Sequence, residues 1–142
     1  MGVGLVTSAL VTYSDNAPTV AVPGGAVAGD FFLLGILCPP SVTLTWPSGF
    51  TETTDFSEEV NLGTLFRTAI KSASGSESGD FVASMSGYGG WMAICAVVHG
   101  FNSTVGDGSG QSSYGYATSV SMTGGSVTTA GDGHLVVWVA TT

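Results

Sequence analysis

Gly29-Asp30-Phe31-Phe32-Leu33-Leu34-Gly35-Ile36-Leu37-Cys38 is the stretch whose reading decides the fold. A Gly-Asp turn leads into a short, nearly unbroken apolar run, and Pro39-Pro40 ends it. That length and bracketing predict a strand rather than a helix. On a strand, Phe31, Leu33 and Leu37 share one face, and Phe32, Leu34, Ile36 and Cys38 share the other. A strand with one wet face alternates apolar with polar residues. This one does not, so it is expected to be covered on both sides, by a second sheet and by something else.

Working outward, the chain reads as more strands and turns. Residues 4–13 form an opening strand, and residues 1–17 as a whole are either an N-terminal arm that crosses to a neighbour or an edge strand of the chain's own sheet. Residues 19–22 are a short strand broken by Pro23-Gly24-Gly25. Residues 42–46 alternate cleanly and end at the tight turn Pro47-Ser48-Gly49. Residues 50–56 read as a loop or irregular strand, and Ser57-Glu58-Glu59 as a solvated loop. Residues 62–71 alternate with one apolar-rich face. A second Gly-Asp pair, Gly79-Asp80, opens a strand over 80–85. Trp91-Met92-Ala93-Ile94-Cys95-Ala96-Val97-Val98 is a second strand that is apolar on both faces. Residues 101–116 form the longest glycine/serine loop, and residues 117–122 and 134–140 are the last strands. Phe31, Leu33, Leu34, Ile36, Trp91, Ile94, Val97, Leu135 and Val137 are the residues expected in the core.

Residues 19–30 recur as residues 119–132: a strand, a Gly-Gly turn, a Gly-Asp turn, then an apolar strand. Two related halves that face each other suit a β-sandwich. Composition agrees. The chain has 142 residues, 22 of them glycine, and only 8% of its residues are charged. Helix-favouring Glu, Lys and Arg are scarce, while β-branched residues and turn formers abound. The length suits one domain, residues 1–142, with a real core. We therefore expect an all-β sandwich of about eight strands.

Charge excludes several function classes. The net charge is −8 and the only strong cations are Arg67 and Lys71. Such a chain cannot hold a phosphate backbone by counterion release, so neither nucleic acid nor an anionic membrane is an expected partner. No apolar run approaches the length of a membrane helix. Low charge with 44% hydrophobic residues implies that much of the surface is meant to be buried against partners, in a homo-oligomer or larger assembly.

The sequence carries no recognisable catalytic pattern. The two histidines, His99 and His134, sit at the ends of apolar runs and read as satisfied, half-buried side chains. Cys38 and Cys95 lie within apolar strands and read as buried thiols; a disulfide would require those strands to be neighbours. The cysteines and histidines lack zinc spacing, and no cofactor is implied. Asp30, Asp80 and Asp132 each follow glycine and precede a strand, where an aspartate bonds its own backbone. Arg67 and Lys71, four apart on a strand, share one face and are expected to pair with carboxylates at an interface or a sheet face. They are candidate partner contacts, together with Tyr114 and Tyr116 of the long loop. Trp46, Phe50, Tyr88, Trp91, Tyr114 and Tyr116 could supply a sugar-stacking platform, with core or subunit packing as the alternative. The chain is read as that of a non-enzyme.

Four segments in order carry a resemblance: Val22-Pro23-Gly24-Gly25 to Leu34, Trp46-Pro47-Ser48-Gly49-Phe50-Thr51-Glu52, Gly75-Ser76-Glu77-Ser78-Gly79-Asp80-Phe81, and Trp91-Met92-Ala93-Ile94-Cys95-Ala96. This order resembles jelly-roll-like domains of tailed-phage virion proteins, over residues 18–101 with a partial second copy after residue 117. The resemblance implies a jelly-roll winding. It also implies a structural role, as a capsid decoration (cement) protein on the outer surface of the virion or as a carbohydrate- or receptor-binding module of a tail fibre or bacterial surface protein. It implies two partners: the chain itself, as a trimer, and a major capsid protein. It carries no catalytic residue.

Overall fold

Residues 31–38 are a strand over their whole length, at the centre of the largest sheet. The computed structural model describes residues 4–11, 16–60, 64–87 and 92–99, and the side chains within 16–53, 65–87 and 92–99. Among them are the strands β1 (Gly4–Val11), β2 (Thr19–Ala21), β3 (Phe31–Cys38), β4 (Leu44–Thr45), β5 (Thr51–Val60), β6 (Thr64–Ser72), β7 (Asp80–Val82), β8 (Ser84–Met85) and β9 (Met92–His99), and no helix. The described residues are all-β, and every pairing among them is antiparallel.

The main sheet has the order β1-β9-β3-β6-β5. The two runs that are apolar on both faces, β3 and β9, are therefore neighbours in its middle, which is where such runs belong. Residues 4–11 form the edge strand at one end, paired with β9 from Gly4 opposite His99 to Val11 opposite Ala93.

The second layer is narrower. β2 pairs with β7, and β4 with β8. Ala83 N donates to Pro18 O, Met85 N to Asn16 O and Ser86 N to Thr43 O. Residues 80–86 thus act as one interrupted strand, flanked by residues 16–21 on one side and 43–45 on the other.

Register and alternation put Phe32, Leu34, Ile36 and Cys38 on one face with Ala69, Ala93, Cys95 and Val97. All eight are buried. They pack with Val20, Leu44, Phe81, Ala83 and Met85 of the second layer as one core. The small residues Ala69, Ala93 and Cys95 leave room for the bulky ones above them. Phe81 bridges the layers: its ring meets Phe32 edge-on with centroids 5.0 Å apart, and Phe50 at 4.9 Å.

Both Gly-Asp entries work as turns. Gly29 and Gly79 have φ of 95° and 81°, the left-handed region that favours glycine. Asp30 closes its turn by donating its amide to Val27 O, and its Oδ2 accepts from Val27 N.

Three expectations are corrected. Residues 51–60 form a strand, including the Ser57-Glu58-Glu59 cluster expected to be a solvated loop. β5 is an edge strand with a register shift between Thr53 and Glu58, so it lacks the apolar alternation that marks an interior strand. The strand expected over 42–46 shrinks to two residues. Of the expected core, Leu34, Ile36 and Val97 are buried, but Phe31, Leu33 and Ile94 are only half-buried, because they point to the face that the second layer does not cover. Trp91, Leu135 and Val137, and the repeat over 119–132, lie outside the described side chains.

Candidate functional site

The main sheet has a second face. Phe31, Leu33, Gly35 and Leu37 of β3 share it with residues of β6 and β9. Met92, Ala96 and Val98 are buried there, but Phe31, Leu33, Leu37, Phe66, Ile70 and Ile94 are half-buried. These six large apolar side chains come from three adjacent strands, so they form one continuous patch. Patches of that kind mark interaction surfaces.

Two features help fix the side chains on this face. A Cβ at Gly35 would overlap the ring of Phe66, so the absent side chain makes room for that ring against the sheet. Next to it, Thr53 and Thr68 are buried opposite each other, and Thr53 Oγ1 donates to Thr68 O at 3.1 Å. This cross-strand pair ties the edge strand β5 to the sheet.

Arg67 and Lys71 project from the opposite face, and both engage carboxylates of their own chain. Arg67 Nε donates to Glu52 Oε1 at 2.7 Å and Nη2 to Oε2 at 2.8 Å, a two-pronged pair. Lys71 Nζ lies 3.5 Å from Glu77 Oε1 and 5.3 Å from the centroid of Phe81. Sequence spacing correctly put the two cations on one face. Glu52 and Glu77 were not legible as their partners, because cross-strand register sets those pairs. Tyr114 and Tyr116 lie outside the described residues, as do Tyr88 and Trp91. Of the aromatic set, Phe50 and Trp46 pack against the core.

Burial pushes Glu77 upward, but the amide of Ser74, its own amide, the Ser74 hydroxyl and Lys71 outweigh it and hold Glu77 down at about 2. Asp30 is also held below its ordinary value, first by the amide of Val27, against burial, and then by His99. A carboxylate with a depressed pKa stabilises the fold fully above its unfolded value, and that contribution is lost as pH falls through the folded value. For Glu77 the window runs from about 4.5 down to about 2. Thermal midpoints should therefore fall across that window, and Glu77→Gln should flatten part of the decline. An identical decline in the variant would remove Glu77 from the account.

Asp30 has a second partner. Its Oδ1 meets His99 Nδ1 at 2.5 Å, 69 residues apart in sequence. The pair pins the entry of β3 to the end of β9. Asp30 is the turn former and His99 the satisfied, half-buried histidine that the sequence predicts. Their meeting depends on β3 and β9 being neighbours, which no local pattern shows.

Cys38 and Cys95 are free and buried. Their strands are neighbours, but Cys95 stands opposite Leu34, four residues from Cys38, too far for a disulfide. Burial pushes Cys95 up to about 12, and raises Cys38 against the opposing pull of Arg67. Both thiols should resist a thiol-specific reagent at mildly alkaline pH and react only once denaturant is added. Rapid labelling of the native chain would contradict this packing.

No family model matches this chain, and neither does any curated protein or solved structure. The functional reading therefore rests on the sheet and its surfaces.

Proposed function

We propose that this chain is a structural virion protein, a capsid decoration (cement) subunit on the outer surface of a tailed phage. The observation that carries the proposal is the second face of the main sheet. A single subunit buries one face of β3 and β9 in its own core and leaves Leu33, Ile70, Ile94 and Phe66 half-buried on the other. A chain with 8% charged residues has little charged surface to offset that patch. Burial against further subunits resolves the mismatch.

The net charge of −8 supports a place away from packaged nucleic acid, whose phosphates would repel it. The resemblance noted above supplies the finer parts of the reading: the jelly-roll winding, three subunits in the oligomer, and a major capsid protein as the second partner. Adhesion to the shell would come from many shallow contacts.

Immunolabelling of intact virions, imaged by electron microscopy with an antibody to this chain, tests the proposal. Label spread over the capsid is expected. Label at the tail tip would replace it with receptor or glycan binding, and the absence of label from any virion would end it.

A further inference from the structure

Two loops close one end of the sandwich. Residues 22–30 join β2 to β3, and residues 73–79 join β6 to β7. The loops are bonded to each other through the backbone: Val22 N donates to Gly79 O, Gly29 N to Ala73 O and Ala73 N to Asp30 O. They run so close that a Cβ at Gly75 would come within 2.9 Å of Ala28 N. Pro23 and Ala73, one in each loop, are buried.

Each loop is held in shape by one carboxylate, and each carboxylate is tied to the main sheet by a nitrogen-bearing side chain. Asp30 is 1% exposed; its Oδ2 accepts from Val27 N at 2.9 Å, and its Oδ1 meets Nδ1 of His99 at the end of β9. The Glu77 side chain is 8% exposed. Its Oε1 accepts from Ser74 N at 2.8 Å, its Oε2 from Gly75 N at 3.1 Å, and Lys71 Nζ of β6 lies 3.5 Å from Oε1. An ionised carboxylate only accepts, so the oxygens of both groups face donors. A proton on either group sets an O–H against an N–H, which costs the bond. Among the described residues Asp80 is the other charged group beside these loops, and it is exposed. Arg67 and Glu52 pair with each other further along β6 and β5, and Cys38 and Cys95 lie within the core.

We propose that this end of the sandwich is an acid-released clasp: protonation of Asp30 and Glu77 frees residues 22–30 and 73–79 together, while the main sheet stays folded. The shared backbone bonds make the two loops one unit, and the strands behind them keep their own ladder. Both carboxylates are held below their ordinary values. The closed clasp is therefore fully favoured above the ordinary carboxylate range and weakens as pH falls, for Glu77 between about 4.5 and about 2. Opening grows by up to about tenfold per pH unit for each carboxylate that titrates. Release uncovers Pro23 and Ala73, so acid adds apolar surface at an end that is covered at neutral pH. This inference is independent of any place in a virion.

Hydrogen exchange on the full chain tests it, followed from neutral pH down to about 2 and corrected for the intrinsic pH dependence of exchange. The amides of Val22, Val27, Gly29, Ala73, Ser74 and Gly75 should lose protection together below about pH 4.5, while those of residues 32–36 and 93–97 keep theirs. Loss in the strands at the same pH, or loops that stay protected throughout, would overturn the proposal. Glu77→Gln removes the charge from the second loop alone, at neutral pH. It should lower protection at Val27 and Gly29 of the first loop as well as at Ser74 and Gly75, with circular dichroism unchanged. A change confined to residues 74–77, or no change, would mean that the two loops do not open as one unit and would also overturn the clasp.

Discussion

Phe32→Ala is expected to cost about 3–5 kcal/mol of folding stability, the range for removing a large aromatic side chain from a packed core. Phe32 is completely buried and meets Phe81, the residue that bridges the two layers. Little around it can collapse into the space, because its cross-strand neighbours belong to a continuous ladder on both sides. Leu33→Ala, one residue along, should behave differently. Leu33 points to the other face and is half-buried, so its loss should cost clearly less in dilute solution. Urea denaturation of the two variants compares them directly. Equal losses in dilute solution would mean that both faces of β3 are buried within one subunit.

Gly35→Ala should be costly for a reason that no burial figure conveys. The new methyl would occupy the space of the Phe66 ring. The ring must swing away or the strands must part, and overpacking of this kind costs about 1–3 kcal/mol. The cause can be isolated by a double-mutant cycle. With Phe66→Ala already in place, Gly35→Ala should cost much less, giving a coupling energy well above the scatter of independent sites. If the two losses simply add, Phe66 is not what Gly35 makes room for.

The strands were largely legible because their signals are local. The 31–38 run, the 80–85 segment and the apolar run that becomes Met92–His99 all emerged near their predicted places. The Gly-Asp turns were legible too, since left-handed glycine followed by a self-bonding aspartate is a two-residue pattern. β5 was only partly legible: residues 50–56 read as a loop or an irregular strand and 57–59 as a loop, because an edge strand with Glu52, Asp55, Glu58 and Glu59 has the composition of a loop. The partners of Arg67, Lys71 and Asp30 were not legible: each pair spans strands whose register is set by the whole sheet. The candidate surface was half legible. Both faces of β3 are visibly apolar in sequence, but which one the second layer covers depends on where β2, β4, β7 and β8 fold.

The central claim is that the second face of the main sheet is an assembly surface, and the mass of the chain in solution tests it most directly. Light scattering across a wide concentration range should show a stable oligomer. Leu33→Glu combined with Ile94→Glu, which places two carboxylates on that face, should reduce it to a folded monomer with unchanged circular dichroism. A wild-type chain that stays monomeric and soluble at high concentration would contradict the claim.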